Sequence, residues 1–192
     1  MWSEANFIAG HRILDFLNTV SDRGKSRAAS TLRLPTDLAS WIEASALCTK
    51  NLVDPAPSQL SFDAVIEFRD ATYRVLVATL GNTSPPNPDI QTVEHSLKSA
   101  IQRASLDLVS SSAIWRASQK SDHRHEDFFA LLLHDFLRSP DMELLSQCER
   151  CTWLFLSSGR GRGRRWCNMA TCGNRHKVEM HRSRNRHQRD EV

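Results

Sequence analysis

Cys148-Glu-Arg-Cys151 and, after 15 intervening residues, Cys167-Asn-Met-Ala-Thr-Cys172 set the structure of the C-terminal region. Four of the five cysteines thus follow the spacing C-x2-C-x15-C-x4-C. In a C-x2-C pair, two thiolates can face one ion about 2.3 Å away while the backbone between them turns around it. The second pair completes a tetrahedral shell of four thiolates, which leaves no open position for catalysis. The sequence therefore predicts one structural zinc ion, held by Cys148, Cys151, Cys167 and Cys172.

Other uses of clustered cysteines fit this sequence less well. The N-terminus has no basic region leading into a long apolar stretch, so we expect no signal peptide and a cytoplasmic protein, where disulfides are rare. A thioredoxin-like redox pair at Cys148 and Cys151 would require a βαβ pattern, which we do not find around it. Cys48 stands alone at an apolar helix end and is most simply a small core residue.

Charge divides the chain into two parts. The formal net charge is +3, but residues 148–192 hold eleven Arg and Lys against four Asp and Glu, which gives +7. The first 147 residues hold the other 14 basic and 18 acidic residues, which gives −4. A basic block at one end of a mildly acidic chain indicates contact with a polyanion, most simply DNA.

The first 139 residues are typical of a helical domain. Five segments carry apolar residues at helical spacing, and they begin at Gly10, at Pro35 with Thr36 as N-cap, at Ser61 as a cap, at Asn87 and at Ser121. Two short apolar runs, 106–109 and 113–117, predict a small β-hairpin. Pro140 opens a last short helix that leads to Cys148. No apolar run approaches the roughly 20 residues that span a bilayer, so we expect no membrane contact.

Two stretches of the sequence resemble known families. Trp166-Cys-Asn-Met-Ala-Thr-Cys-Gly-Asn-Arg175, with the doublet Arg164-Arg165 before it, resembles the signature of the CGNR zinc-finger family. Gly10 to Val20, GHRILDFLNTV, is similar to the opening of the ABATE domain that usually precedes this finger. Proteins of this kind are regarded as stress-induced bacterial transcription regulators, and their N-terminal domain has no established ligand. The resemblance therefore implies a regulator of transcription.

The predicted fold class combines both parts. Residues 1–139 are expected to form a mainly α domain with a small β-hairpin, an α+β arrangement. Residues 140–192 are expected to form a small treble-clef-like finger, in which a strand over 153–156 leaves the first knuckle and a basic helix follows the second. So short a segment cannot form a sufficient core, and the metal replaces it.

The basic residues of the finger are the candidate nucleic-acid contacts. Arginine suits bidentate contacts to phosphate or to guanine edges. We expect one set on the loop between the ligand pairs and another on the final helix: Arg160, Arg162, Arg164, Arg165, Arg175, Lys177, Arg182 and Arg186. The alternative is a solvated basic tail. Asn174 and Arg175 have a second interpretation, because residues that directly follow a ligand often cap the helix or bond the thiolates.

The helical domain offers fewer candidates. His123 and His125 form a polar cluster that is more typical of a helix start than of a metal or base site. Asp15 and Asn18 lie one turn apart on the first helix, where they either line a pocket or cap loops.

Three functional hypotheses follow. The favoured one is a transcription regulator whose finger binds DNA and whose helical domain senses a small-molecule ligand or forms a homodimer. The second makes the finger a protein-interaction module, for example toward RNA polymerase or an acidic partner. The third is an enzyme acting on a small ligand. We find no glycine-rich phosphate loop, G-x-S-x-G or H-E-x-x-H motif to support it.

Overall fold

The computed structural model describes residues 2–21, 25–45, 56–109, 112–118, 121–157 and 163–190. Among these residues, five helices build the N-terminal part and a sixth lies in the C-terminal part. Their bounds are α1 Arg12–Leu17, α2 Pro35–Ala44, α3 Gln59–Leu80, α4 Asn87–Arg103, α5 Arg124–Arg138 and α6 Asn174–Asp190. Short 3-10 helices span Glu4–Asn6 and Pro140–Leu144, and a π-helical turn spans Met169–Gly173. No helix in this described part is long and apolar enough to cross a membrane.

The core forms around α1. This helix packs against α3 and α5, and its residues 13–17 are all buried. Phe16 stacks on Phe129 of α5 with ring centroids 3.9 Å apart, and Trp41 of α2 meets Phe16 edge-on at 5.7 Å. The long helices α3, α4 and α5 pack on one another beside this aromatic centre. The predicted apolar stripes therefore do converge on one core.

Two predicted helix caps are wrong, and the helix expected from Ser121 begins only at Arg124, with His123 as its N-cap. Thr36 is not the N-cap of α2, because Pro35 is already its first helical residue, and the Asp37 carboxylate accepts hydrogen bonds from the Arg33 and Leu34 amides instead. Likewise α3 begins before Ser61: Ser58 is its N-cap and accepts from the Ser61 amide at 3.2 Å. In both cases a side-chain oxygen accepts hydrogen bonds from backbone amides at the helix start, and the apolar periodicity of the sequence does not identify that side chain.

Three antiparallel hairpins lie in the part of the chain that the structure describes. The predicted one is confirmed as β3 Ser105–Val109 paired with β4 Ser112–Arg116. A minimal pair, β1 Val20–Ser21 with β2 Ala29–Ser30, follows α1. The third joins β5 Leu145–Gln147 to β6 Leu154–Leu156. The short helix predicted from Pro140 is thus a 3-10 turn that ends in a strand before Cys148.

Buried charges in the helical domain are paired. Arg69 of α3, only 2 % exposed, donates to the Thr19 carbonyl and hydroxyl, to the Ser30 hydroxyl and to Asp70. It thereby ties the β1–β2 hairpin to α3. On the other side of the domain, Arg103 of α4 donates to the buried Asp127 carboxylate of α5. Because a buried charge is stable only when it is paired, these contacts fix the packing of the elements.

Candidate metal centre and basic helix

The first ligand pair lies in the turn between β5 and β6. The register Gln147↔Leu154 closes this hairpin, and the Cys148 amide donates to the Trp153 carbonyl at 2.9 Å. The six residues between the strands therefore form a tight knuckle that carries Cys148 and Cys151. Phe155 and its two neighbours in β6 are buried, so the strand that follows the knuckle packs in the core of the helical domain.

The second ligand pair lies at the start of the C-terminal helix. Cys172 lies in the π-helical turn, and the Asn168 side chain caps this turn by accepting from the Ala170 amide at 2.7 Å and from the Thr171 amide at 3.3 Å. The Asn174 side chain donates to the Ala170 carbonyl at 3.1 Å, which supports the interpretation of Asn174 as a structural residue. These contacts orient the thiol of Cys172 toward the knuckle.

The four cysteine sulfurs converge. All lie within 4.8 Å of one another, with Cys151–Cys167 at 3.5 Å and Cys167–Cys172 at 3.6 Å. A tetrahedral shell with zinc–sulfur bonds of about 2.3 Å places its sulfurs about 3.8 Å apart, so the spacing fits zinc. Cys148, Cys167 and Cys172 are buried and Cys151 is half-buried. One structural zinc ion held by four thiolates is therefore the cofactor that this site supports.

Electrostatics also favour a cation at the centre. Hydrogen bonds from the thiols of Cys151 and Cys167 lower the pKa of the Cys148 thiol. Hydrogen bonding to Cys148 raises the pKa of Cys151 and of Cys167, since each faces a sulfur that already carries the charge. Four sulfurs at this distance cannot all ionise against one another, whereas a divalent cation stabilises all four thiolates.

Comparison with known families agrees with this geometry. A family model described as "Putative stress-induced transcription regulator", named ABATE, matches residues 10–159, and the CGNR zinc-finger model matches residues 145–185. The chain belongs to the ABATE family. Its C-terminal part is a CGNR zinc finger. No curated protein matches the chain. The two matches overlap at residues 145–159, the segment that holds the β5–β6 hairpin and its knuckle.

The ABATE domain and the finger are joined through Asn18, a contact that sequence reasoning missed. The Asn18 amide donates to the Leu154 carbonyl at 2.8 Å, and its oxygen accepts from the Leu154 amide at 2.9 Å. The side chain thus acts as an extra strand residue along β6. The Asp15 carboxylate accepts from the Ala9 amide at 2.9 Å, and the Ala9 carbonyl accepts from the Leu156 amide at 2.7 Å. Asp15 and Asn18 therefore secure backbone rather than line a pocket.

Arg164 has a structural position within the finger. Its guanidinium donates to the Trp166 carbonyl at 2.8 Å and to the Ile8 carbonyl at 3.2 Å, and it lies over the Phe155 ring at 4.6 Å. The Ser157 hydroxyl accepts from the Arg164 amide at 2.9 Å. These contacts engage the Arg164 guanidinium within the protein, and its nucleic-acid contact stays a prediction. The sequence places Arg164 in the doublet before Trp166 that resembles the CGNR signature, but it does not reveal these contacts.

Arg165 is partly engaged as well. It forms a bidentate ion pair with Glu149 of the knuckle and lies over the Trp166 ring at 4.9 Å. Hydrogen bonding to Arg165 lowers the pKa of the Glu149 carboxyl, and both side chains remain about half exposed. Together with the Glu149 amide, which donates to the Arg165 carbonyl at 3.1 Å, this pair connects the two halves of the metal centre.

The predicted contacts on α6 lie at the surface. Arg175, Lys177 and Arg182 are exposed and make no ion pair among the described residues. Arg175 and Arg182 line one side of a groove of about 840 Å³, and Arg150 of the knuckle is also part of its lining. Lys177 lies on the opposite side of the helix, since two residues correspond to about 200° of rotation. Arg186 belongs to α6, but its side chain is outside the described set, and Arg160, Arg162 and Cys48 lie outside the described residues.

The histidine cluster of α5 gives no metal site among the described residues. His125 is fully buried, whereas His123 is exposed and lies 3.8 Å from Glu126. The Glu126 carboxylate also accepts from the Ser96 hydroxyl at 2.6 Å, which joins α5 to α4. The cluster therefore belongs to the start of a helix, as the sequence indicates.

Proposed function

We propose that this ABATE-family chain regulates transcription by binding duplex DNA through its CGNR finger. The observation that carries the proposal is the exposed basic face of α6, which presents Arg175 and Arg182 beside the zinc knuckle without neutralising ion pairs among the described residues. A rigid basic helix next to a groove suits the phosphate backbone and the major groove of DNA. Arg165 would add a contact beside this surface, Arg186 a contact further along α6, and Arg160 and Arg162 contacts from the loop, whereas Lys177 would lie on the other side of the helix, outside this contact.

The metal supports this role indirectly. The four thiolates hold α6 against the hairpin that is rooted in the ABATE domain, so zinc sets the orientation of the basic face. Arg164 reinforces the same joint from the protein side. The ABATE domain would then control the finger, either by sensing a ligand or by forming a homodimer.

A direct test is the titration of labelled duplexes at several salt concentrations, with zinc bound. The logarithm of the affinity should fall linearly with the logarithm of salt concentration, with a slope of about 0.9 for each phosphate neutralised. Arg160→Ala with Arg162→Ala should weaken binding to all sequences alike and flatten this slope. Arg182→Ala with Arg186→Ala should instead relax sequence preference.

The matched control removes two basic charges from the ABATE domain, through Lys98→Ala and Arg116→Ala. It should leave affinity and slope nearly unchanged, because both residues lie outside the finger, on α4 and β4 of the ABATE domain. If the wild type binds no duplex at low salt with zinc present, DNA binding is excluded.

A second candidate is a protein-interaction module. Three apolar side chains of the finger are about half exposed, and they are Met169, Val178 and Met180. Such positions suit a protein partner with both acidic and apolar groups. Binding of a protein partner that persists at high salt and is lost in Val178→Asp or Met180→Asp would favour this function.

A further inference from the structure

Among the side chains of α6 that the structure describes, one acidic residue, Glu179, interrupts the basic face. Between Cys151 and Arg189 the sequence holds ten Arg and Lys but only one carboxylate, Glu179. Glu179 lines the same groove as Arg175 and Arg182, four residues after the first and three before the second. At about 100° per residue, these three side chains share one face of the helix.

A surface that binds only phosphate gains nothing from this carboxylate. Glu179 repels every phosphate nearby, so it weakens binding to all duplexes regardless of sequence. A carboxylate becomes favourable only where it accepts a hydrogen bond, and the exocyclic amino group of cytosine is such a donor in the major groove. Discrimination between partners often depends on such a repulsive element.

We propose that Glu179 is a specificity-determining residue of a base-reading surface formed with Arg175 and Arg182. The proposal rests on DNA binding by the finger. Arginine matches the two acceptors of a guanine edge, and glutamate matches cytosine. Arg175 and Arg182 are separated by about 10 Å along the helix, which corresponds to about three base-pair steps. The preferred ligand is therefore a short duplex site rich in G·C pairs, with a cytosine between two guanine contacts.

Arg150 positions this carboxylate. It forms an ion pair with Glu179 from the knuckle between Cys148 and Cys151, and both side chains are partly exposed. Because the knuckle is fixed by β5, β6 and the metal, Arg150 holds the Glu179 side chain in place before DNA arrives. An exposed ion pair of this kind contributes little to stability, so anchoring the helix is a weak reason for its presence.

The experiment uses the full zinc-loaded chain and a randomised pool of duplexes, from which the bound sequences are selected. The selected duplex and a scrambled duplex of the same composition are then titrated against the wild type, Glu179→Gln, Arg150→Gln and Glu94→Gln. Glu94 is the matched control, because it is an exposed carboxylate paired with Lys98 on α4, far from the finger. Zinc content and helicity are measured for each variant.

We expect the wild type to select G·C-rich sites. Glu179→Gln should bind the scrambled duplex several-fold more tightly and lose about tenfold in the ratio of selected to scrambled affinity. Arg150→Gln should weaken both duplexes, because the groove loses a positive charge, and should lose part of that ratio, because Glu179 is no longer held in place. Glu94→Gln should match the wild type.

Three results would overturn the proposal. If Glu179→Gln and Arg150→Gln weaken both duplexes equally, the ion pair only anchors α6. If the wild type binds duplexes without preference, Glu179 reads no base, although DNA binding by the finger stands. If the wild type binds no duplex, the proposed function fails as well.

Discussion

The two ligand pairs of the finger lie in different kinds of structure. Cys148 and Cys151 lie on a hairpin whose strand β6 is buried in the ABATE core and bonded to Asn18. Cys172 leads into α6, where Val178 is 49 % exposed and Met180 is 47 % exposed. One half of the metal centre therefore folds by apolar burial, and the other depends on zinc for its attachment. A four-cysteine finger need not be an independent unit, since here the metal joins a folded domain to a surface helix.

Removal of the metal should show the largest difference between the two ligand pairs. Chelation or Cys172→Ser should detach residues 163–190 and make them sensitive to protease, while the ABATE domain and the β5–β6 hairpin stay folded. Structural zinc contributes about 10 kcal/mol or more to such sites, whereas the hairpin has its own core contacts. Limited proteolysis with mass spectrometry, alongside metal analysis that should give about one zinc per chain in the wild type, would show this. Global unfolding on chelation would mean that the two halves form one cooperative unit.

The next effect concerns Asn18, which secures the buried half. Asn18→Ala would leave the amide and carbonyl of Leu154 without partners inside the protein, a loss of about 2–5 kcal/mol. Denaturant unfolding followed by circular dichroism would measure it. The matched variant on the exposed half is Asn168→Ala, which removes a cap worth about 1 kcal/mol. If both variants lose the same free energy of unfolding, the buried ligand pair is no more stable than the exposed one, and the difference between them is contradicted.

A smaller effect is expected for Arg164, which bridges the halves. Arg164→Ala removes hydrogen bonds to the Ile8 and Trp166 carbonyls, and this should lower stability by about 1–3 kcal/mol. Its neighbour Arg165 is the control, because the ion pair of Arg165 with Glu149 is exposed and should matter much less. Thermal unfolding of both variants separates these roles. If Arg165→Ala is the more destabilising change, the structural role assigned to Arg164 is wrong.

The smallest effect is a pH dependence of the ABATE domain. Burial lowers the pKa of His11 below its usual 6.5, and its Nδ1 accepts a hydrogen bond from the Ile13 amide at the start of α1. The unfolded chain therefore binds this proton more readily than the folded chain, so stability should fall as pH decreases through and below 6.5. Unfolding curves for the wild type and His11→Asn between pH 5 and 8 would test this. A slope that persists unchanged in His11→Asn would assign the dependence to other groups.

The metal centre and the helical class could be predicted from the amino-acid sequence alone. The cysteine spacing predicts the four sulfurs that converge, because a ligand set is written in residue type and short separations. The apolar stripes predict the long helices and the β3–β4 hairpin for the same reason, since backbone periodicity is local. Even the segregation of positive charge is visible in composition alone.

The hydrogen-bond partners of individual polar side chains depend on the tertiary structure. Asn18 meets Leu154 across 136 residues, and Arg164 meets Ile8 across 156. Strand β5 forms only because β6 is held in place beside it. Each of these side chains forms hydrogen bonds with a backbone group that secondary structure leaves without a partner. No periodicity in the sequence predicts these hydrogen bonds. Buried backbone groups must be paired, so the assembled fold, and not the local pattern, selects the side chain that pairs them.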